Sequence, residues 1–156
     1  MKKIIFGIVV LLAFAGCSKN KCEYNECGVV APAAEIQAVK DYLSSKSITT
    51  AIQHCSGMFY VVDNPGSGTA PDFCSTVSVT YQGTLTNGTQ FDKSTSPVAF
   101  GLSDVITGFR NGIPLIKKGG RVHLYVPPSL GYGSRPNGSI PANSVLIFDV
   151  TLTDVQ

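Results

Sequence analysis

Residues 77–92 read VSVTYQGTLTNGTQFD, and this stretch decides how the chain folds. From Val77 to Gln82, apolar residues alternate with polar ones, which is the pattern of a β-strand with one buried face. The pair Asn87-Gly88 follows, and Asn-Gly is favoured in hairpin turns because it accepts positive φ at low cost. A return strand is expected to begin at Gln90. The stretch therefore predicts an antiparallel β-hairpin.

The sequence on both sides of this hairpin predicts further strands and few helices. Apolar runs bounded by Gly, Pro and Asn indicate strands at 58–62, 98–100, 121–126 and 145–153. The last of these is apolar on both faces, so it is expected to lie in the middle of the sheet. Helical periodicity is confined to residues 31–45 and 105–117, and Pro114 is expected to break the second helix. This layout predicts an α+β domain with an antiparallel sheet wrapped on one helix.

The composition excludes several classes of protein. Apolar residues make up 44% and charged residues 14% of the chain, which allows a packed core and argues against general disorder. The formal net charge is +2, and Lys2 and Lys3 both lie in a segment that is expected to be removed. The mature chain is therefore expected to be neutral. Because it has no basic stripe with interleaved aromatic residues, nucleic acid is not expected as a partner.

Residues 1–16 have the layout of a secretory signal peptide, with a basic start, an apolar run and small residues before Cys17. The apolar run is shorter than the roughly 20 residues of a transmembrane helix. The Ala-Gly-Cys sequence that ends at Cys17 resembles a bacterial lipobox, which implies cleavage before the Cys and a diacylglyceryl group on its thiol. An ordinary signal peptide with an incidental Cys is the alternative. The expected location is the bacterial cell envelope, with a lipid anchor in a membrane and a periplasmic or surface-facing domain.

Four further cysteines follow, namely Cys22, Cys27, Cys55 and Cys74. An even number in an exported protein favours two disulfides, and three connectivities are possible. Zinc binding is the competing interpretation. The spacing between Cys22 and Cys27 is wider than that of the usual ligand pair, and the other two cysteines are isolated, so neither a metal nor a cofactor is expected.

Five short motifs occur in order across about 100 residues. Together they resemble the FKBP family of peptidyl-prolyl isomerases, and the resemblance implies an antiparallel five-stranded sheet half-wrapped around a short helix. The isomerase domain is then expected at 57–156, preceded by a lipidated tether and N-terminal helical extension at 17–56. The motifs are Val79-Thr80-Tyr81-Gln82-Gly83, Gln90-Phe91-Asp92, Val105-Ile106-x-Gly108-Phe109, Pro127-Pro128-x-x-Gly131-Tyr132-Gly133, and Ile140-Pro141 followed by Leu146-Ile147-Phe148-Asp149-Val150.

The resemblance also implies a site, an apolar pocket between the helix and the sheet. Phe109 stands where most family members carry Trp at the pocket floor, and the loop between Tyr132 and Pro141 is one residue shorter than in some members. Catalytic roles are implied for Tyr81, Asp92, Ile106 and Tyr132. The substrate-binding walls are implied to be Phe91, Val98, Val105, Phe109, Ile140 and Phe148.

Such a pocket suits a reaction that makes and breaks no covalent bond. Rotation about an amide is slow because it costs about 18–20 kcal/mol of lost resonance, and an apolar pocket disfavours the polar planar amide more than the twisted one. The sequence thus predicts an isomerase that acts on proline-containing polypeptides and assists the folding of exported proteins. The alternative is a membrane-anchored module that binds prolyl segments or acts as a chaperone without turnover. The oligomeric state is left open.

Overall fold

The computed structural model describes residues 22–156, and in this range an antiparallel sheet packs against a helix on each face. The predicted signal peptide, 1–16, and Cys17 lie outside the described residues. The strand order is β1-β2-β5-β6-β3-β4, and every pairing is antiparallel. The helices are α1 (Ala33–Ser45) and α2 (Thr107–Gly112), and three 3₁₀ turns cover Leu102–Asp104, Ile113–Leu115 and Pro128–Leu130. The strands are β1 (Ile52–Gln53), β2 (Phe59–Asn64), β3 (Thr76–Leu85), β4 (Gln90–Gly101), β5 (Arg121–Val126) and β6 (Leu146–Val155).

The α+β class is confirmed, with one addition and one correction in the sheet. The two-residue strand β1 lies at one edge and adds to the five expected strands. The return strand begins at Gln90 as expected, but the separate strand expected at 98–100 is wrong, because these residues belong to the same strand, β4. Pro97 is tolerated within it because β4 forms the other edge of the sheet, where one side of the backbone has no neighbouring strand. The central position expected for the last strand is confirmed, since β6 pairs with both β5 and β3.

The predicted hairpin joins β3 to β4, and its turn depends on one glycine. Gly88 has a φ of 86°, a conformation that costs glycine little. The Gly88 N–H donates to the Leu85 carbonyl at 2.9 Å, and the Asn87 side chain accepts a hydrogen bond from the Thr89 N–H at 2.9 Å. Asn87 thus supports the turn through its side chain, and only Gly88 supplies the positive φ.

The second helix is shorter than the expected 105–117. It begins at Thr107 and ends at Gly112, and a 3₁₀ turn containing Pro114 follows. The break expected at Pro114 is confirmed, because proline has no N–H to continue the α-helical hydrogen bonds. Val105 and Ile106 precede the helix in extended conformation, with ψ of 170° and 150°. Their N–H groups therefore take no part in the helical hydrogen bonds, whereas the Ile106 carbonyl accepts the first of these bonds.

Each face of the sheet carries its own apolar cluster, because successive residues of a strand point to opposite faces. One face packs against α2 and holds the larger cluster, which includes Leu124, Val126 and Phe148. The other face packs against α1, whose Val39 and Leu43 are buried beside Phe59, Tyr125 and Val145. The apolar stripe expected on the first helix is confirmed. In β6 the face toward α2 is fully apolar and buried, whereas the other face is apolar only near its start, where Ile147 packs beside the α1 cluster, and continues with Asp149 and Thr151.

The segment before α1 is fastened to the domain by two disulfides. Cys22 is bonded to Cys74, with 5.9 Å between their Cα atoms, and Cys27 is bonded to Cys55, with 5.4 Å between theirs. The prediction of two disulfides is confirmed, and one of the three possible connectivities is selected. Glu26, Cys27 and Cys55 form the one close cluster of metal-binding residue types within residues 22–156, and both of its thiols are consumed by the disulfide.

No helix between Cys22 and Gln156 is both long and apolar enough to cross a membrane.

Candidate functional site

A cavity of about 300 Å³ opens between α2 and the sheet. Strands β3, β4 and β6 each contribute one aromatic side chain and helix α2 contributes Phe109. The segment before α2 forms one wall, and the loop after β5 supplies Tyr132. Most of the residues predicted from the family resemblance are brought together here. The lining consists of Tyr81, Asp92, Phe100, Asp104, Val105, Ile106, Phe109, Tyr132 and Phe148.

Phe109 forms the floor of this cavity and is 6% exposed. Its ring contacts three other aromatic rings, with centroids 4.5 Å away for Phe148, 6.0 Å for Tyr81 and 6.1 Å for Phe100. The Phe148 and Tyr81 contacts are edge-to-face, the arrangement that aromatic quadrupoles favour. The floor is therefore apolar and held in place from three directions.

A polar rim faces the floor, and its central contact joins Tyr81 to Asp92. The Tyr81 hydroxyl donates a hydrogen bond to Asp92 Oδ2 at 2.6 Å, and Asp92 Oδ1 accepts one from the Lys93 N–H at 2.8 Å. Burial, and then the hydrogen bond to the Asp92 carboxylate, raise the pKa of Tyr81 to about 12. Burial also raises the pKa of Tyr132, with a smaller contribution from the Asp92 charge. Both phenols therefore remain neutral donors near pH 7.

The donors at the cavity that lack a partner among residues 22–156 include the Ile106 N–H and the Tyr132 hydroxyl. The Ile106 N–H makes no hydrogen bond, although the Ile106 carbonyl accepts from the N–H groups of Phe109 and Arg110 in the first turn of α2. The Tyr132 hydroxyl makes none either, and this side chain is 40% exposed. An unpaired amide and an unpaired hydroxyl beside an apolar floor are suited to hold the backbone carbonyls of a peptide.

A smaller cavity of about 200 Å³ shares Asp92 and Tyr132 with the first one. Phe91 and Ile140 line this second cavity and not the first, together with the loop residues 137–139. The Phe91 ring nevertheless supports the main floor, because it packs edge-to-face on Phe148 at 5.5 Å. The two cavities therefore adjoin at the polar rim.

Val98 is a predicted wall residue that lines neither of these cavities. It lies opposite Val79 in the sheet and is 37% exposed. The register between β3 and β4 shifts just beyond this pair, so that Tyr81 is paired with Ser94. The irregular edge strand therefore leaves Val98 outside the cavity and places Phe100, two residues along the same face, against the floor.

Phe100 and Asp104 are cavity residues that the sequence interpretation missed. The alternation within the predicted strand 98–100 assigns Phe100 and Val98 to the same face, so that signal was present in the sequence. Asp104 lies in a 3₁₀ turn that no sequence pattern indicated. Its carboxylate accepts a hydrogen bond from the Ser103 hydroxyl at 3.1 Å and adds a second acid to the rim.

The lining offers no nucleophile and base in contact. Within the described chain, no Ser, Thr, Cys, His or Lys side chain lines the main cavity. Two more voluminous clefts, of about 340 and 590 Å³, lie elsewhere and are lined mainly by polar side chains such as Arg121, Asp149 and Asn87. The main cavity is thus suited to bind a segment with an apolar side chain while its rim holds the backbone of that segment.

Comparisons with known proteins agree with this geometry. A family model described as FKBP-type peptidyl-prolyl cis-trans isomerase matches residues 68–153. A model of the prokaryotic membrane lipoprotein lipid attachment site matches residues 1–18. The chain is 45% identical over 104 residues to the FKBP-type isomerase FkpA of Escherichia coli K12, an alignment that covers 65% of this chain and 38% of that protein.

Further relatives give the same result. The chain is 45% identical over 105 residues to FkpA of Buchnera aphidicola subsp. Schizaphis graminum, covering 65% of this chain and 42% of that protein. The chain thus spans about two fifths of the length of the curated relatives it matches.

Solved structures resemble the chain as well. The crystal structure of FkpA from Escherichia coli superposes with a TM-score of 0.71 at 40% identity, over 80% of this chain and 61% of that one. A peptidyl-prolyl cis-trans isomerase from Pseudomonas syringae gives 0.70 at 30% identity, over 83% of this chain and 99% of that one. Since the matching family model spans more than half of the residues and includes most of the cavity lining, the chain belongs to the FKBP-type peptidyl-prolyl cis-trans isomerase family.

Proposed function

We propose that this protein accelerates the cis–trans isomerisation of X–Pro bonds in exported polypeptides. The observation that carries the proposal is the aromatic cavity floored by Phe109, which has two free hydrogen-bond donors at its rim. Family membership supports the same reaction. Uncatalysed prolyl isomerisation takes tens to hundreds of seconds, which is slow enough to limit folding.

The physical basis is differential binding of two states of the prolyl amide. A planar amide is strongly dipolar and well solvated by water, whereas the twisted transition state loses resonance and carries less charge on its oxygen. A dry aromatic floor withdraws the solvation that favours the planar form. The twisted amide is therefore stabilised relative to the planar one, which lowers the barrier without any covalent step.

We assign the rim three roles in this reaction. The Ile106 N–H and the Tyr132 hydroxyl hold carbonyls of the substrate backbone, because both donors lack an internal partner in the described chain. Asp92, braced by Tyr81, acts electrostatically and as a hydrogen-bond acceptor near the rotating amide. It does not act as a general base, because the reaction transfers no proton.

A proline-limited refolding assay tests this function. The wild type is expected to accelerate the slow refolding phase of a model substrate. Asp92→Leu is expected to lower kcat/KM about tenfold or more, because it removes a hydrogen bond to a charged group and a charge at the rim. Phe91→Ala is also expected to lower the rate, since Phe91 supports the floor through Phe148. Phe109→Trp, the change toward the commoner family residue, is expected to retain activity.

The matched control is Asp149→Leu, which removes a carboxylate from the outer side of the sheet, where it pairs with Arg121. This variant is expected to lose some stability and keep kcat/KM. If the wild type accelerates no proline-limited substrate, the isomerase proposal is wrong. Tight binding of prolyl peptides without acceleration would instead support the second candidate, a non-catalytic binding or chaperone module.

We further propose that a lipid on Cys17 anchors the domain to a membrane of the bacterial envelope. The match of residues 1–18 to a lipid attachment site supports this assignment. Intact-mass analysis of membrane-extracted protein is expected to give the mass of a chain that begins at an acylated Cys17, and Cys17→Ser is expected to move the protein to the soluble fraction. An unmodified Cys17 in the native protein would contradict the anchor.

A further inference from the structure

Arg110 follows the floor residue Phe109 in α2 and turns its guanidinium toward the wall of the cavity. Its Nε donates to the Leu102 carbonyl at 3.3 Å, and its Nη2 donates to the carbonyls of Ser103 at 2.7 Å and Val105 at 3.2 Å. These three carbonyls belong to the segment that leads into Ile106. One side chain therefore donates to three of the four backbone carbonyls of residues 102–105.

The bond to Val105 has a geometric consequence for the free amide at the cavity. The Val105 carbonyl and the Ile106 N–H belong to the same peptide unit, which is planar and rigid. A donor that fixes the carbonyl on one side therefore fixes the direction of the N–H on the other side. The same bond also polarises the peptide unit, because hydrogen bonds in a chain strengthen one another.

Two aromatic residues distant in sequence hold the Arg110 guanidinium against the segment before α2. The rings of Tyr24 and Phe73 are stacked with centroids 4.3 Å apart, and the Arg110 guanidinium lies over both, 5.5 Å from Tyr24 and 5.1 Å from Phe73. The Tyr24 hydroxyl donates to the side chain of Asn111, which is 1% exposed, at 2.8 Å. We call Tyr24 and Phe73 the aromatic clamp.

The aromatic clamp is itself tied to a disulfide. Phe73 is adjacent to Cys74, Tyr24 lies two residues after Cys22, and these two cysteines are bonded to each other. The Asn111 side chain also donates to the Glu26 carbonyl at 3.0 Å, which fixes the same segment against α2. A continuous set of contacts thus runs from the N-terminal segment through Arg110 to the Ile106 amide.

We propose that Arg110 is a positioning residue, which orients the Val105–Ile106 peptide unit so that the Ile106 N–H is presented to a carbonyl of the substrate. The proposal rests on the proposed isomerase function for its catalytic consequence. Its structural part concerns the free protein and stands without substrate. Arg110 does not line the cavity and so acts only through the backbone.

The test compares three changes at this contact with one matched control. Arg110→Met keeps an unbranched, largely apolar stem and removes the guanidinium with every donor. Arg110→Lys keeps the charge but replaces the planar fork by a single ammonium. Tyr24→Leu leaves Arg110 in place and removes half of the aromatic clamp. The control is Arg121→Met, because Arg121 also makes two hydrogen bonds, to Asp149, but lies on the outer side of the sheet.

The first readout needs no substrate. In ¹H–¹⁵N spectra, Arg110→Met is expected to shift the Ile106 amide resonance and to speed its hydrogen exchange, while amides of β5 and β6 keep their wild-type values. Arg110→Lys and Tyr24→Leu are expected to give smaller shifts at the same resonance. Arg121→Met is expected to leave Ile106 unchanged. If Arg110→Met does not fold, Tyr24→Leu and Arg110→Lys decide the result.

The second readout is the proline-limited refolding assay. Arg110→Met is expected to lower kcat/KM about tenfold, as expected for the loss of one well-oriented hydrogen bond to substrate, with partial recovery in Arg110→Lys. A folded Arg110→Met with an unshifted Ile106 amide, or with shifts of equal size throughout the domain, would overturn the proposal. An active wild type together with an unchanged kcat/KM in Arg110→Met would also overturn it. An inactive wild type would refute the isomerase function, while the spectra would still decide the role of Arg110.

Discussion

Tyr81 and Asp92 form a hydrogen-bonded pair at the rim of the main cavity. The short hydrogen bond between them holds the carboxylate at the rim and keeps the phenol protonated. Burial and the neighbouring negative charge both disfavour the phenolate, so the pKa of Tyr81 lies at about 12 instead of its usual value of 10.0. This shift stabilises the folded protein at all pH values below the ordinary tyrosine pKa. The contribution is lost as the pH rises from 10 toward 12.

This shift leads to a prediction about alkaline titration. The difference in phenolate absorbance between the wild type and Tyr81→Phe is expected to be close to zero at about pH 10.5, where an ordinary tyrosine is mostly ionised. Asp92→Asn is expected to bring the ionisation of Tyr81 to lower pH, because it removes the carboxylate but not the burial. A difference signal with a midpoint near pH 10 in the folded wild type would contradict the prediction.

The side chains of the site were easier to predict than its backbone. Tyr81, Phe109 and Tyr132 were assigned from motifs, because the family pattern specifies residue types at fixed spacing, and all three line the main cavity. The position of Val98 outside both cavities was not predicted, because a register shift in an edge strand leaves no mark in the alternation of residues. The hydrogen bonds of Arg110 were not predicted at all, since they depend on carbonyls whose directions follow only from the folded backbone.

At the scale of elements, the position of the floor depends on how closely α2 approaches β5. Gly108 and Gly112 face the sheet, and a Cβ added at either position would lie 2.5 Å from Val126 Cγ1 or from Leu124 Cδ2. The helix can therefore rest on the strand only because these positions carry no side chain. Phe109 lies between the two glycines in sequence, so the same close contact sets the depth of the floor.

Whether Gly108→Ala raises or lowers the free energy of unfolding tests how closely α2 packs on β5. In an exposed helix this change stabilises by up to about 1 kcal/mol through helix propensity. Here the overpacking against Val126 is expected to dominate and to lower the free energy of unfolding by about 1–3 kcal/mol. Denaturant unfolding measures this change, and Ser44→Ala on the exposed side of α1 is expected to stay within about 0.5 kcal/mol of the wild type. A stabilised Gly108→Ala would mean that α2 does not rest closely on β5.

The positions of the elements along the chain followed from periodicity, but their ends did not. The pattern predicts a helix from 105 to 117 because Ile106, Phe109 and Ile113 share one helical face and residues 117–120, Lys-Lys-Gly-Gly, are typical of a helix C-terminus. In the structure Val105 and Ile106 are extended, and Ile116 follows the 3₁₀ turn that contains Pro114. Apolar residues occur at both ends because these residues pack against the core, not because they are helical. An apolar pattern therefore does not distinguish a helix from an extended segment that forms the wall of a cavity.

At the scale of the whole molecule, the N-terminal segment completes the domain. The disulfide between Cys22 and Cys74 closes a separation of 52 residues, and that between Cys27 and Cys55 closes one of 28. The sequence predicted two disulfides but could not select the pairing, because the partners are brought together only by the fold of the sheet and of the segment before α1. The first disulfide also fixes the aromatic clamp around Arg110, so the segment supports the cavity as well as the fold.

Removing each disulfide separately is expected to have different consequences for stability and for the site. Each disulfide stabilises the fold by restricting a loop in the unfolded chain, and the longer loop gives the larger effect. Replacing Cys22 and Cys74 together by Ala is therefore expected to lower the free energy of unfolding by about 4 kcal/mol, and replacing Cys27 and Cys55 together by about 3.5 kcal/mol. Denaturant unfolding measures both, and ¹H–¹⁵N spectra of the folded variants report the site. Only the first pair is expected to shift the Ile106 amide, because only that disulfide holds Tyr24 beside Phe73. Equal shifts of this amide in both variants would show that the aromatic clamp does not depend on the disulfide next to it.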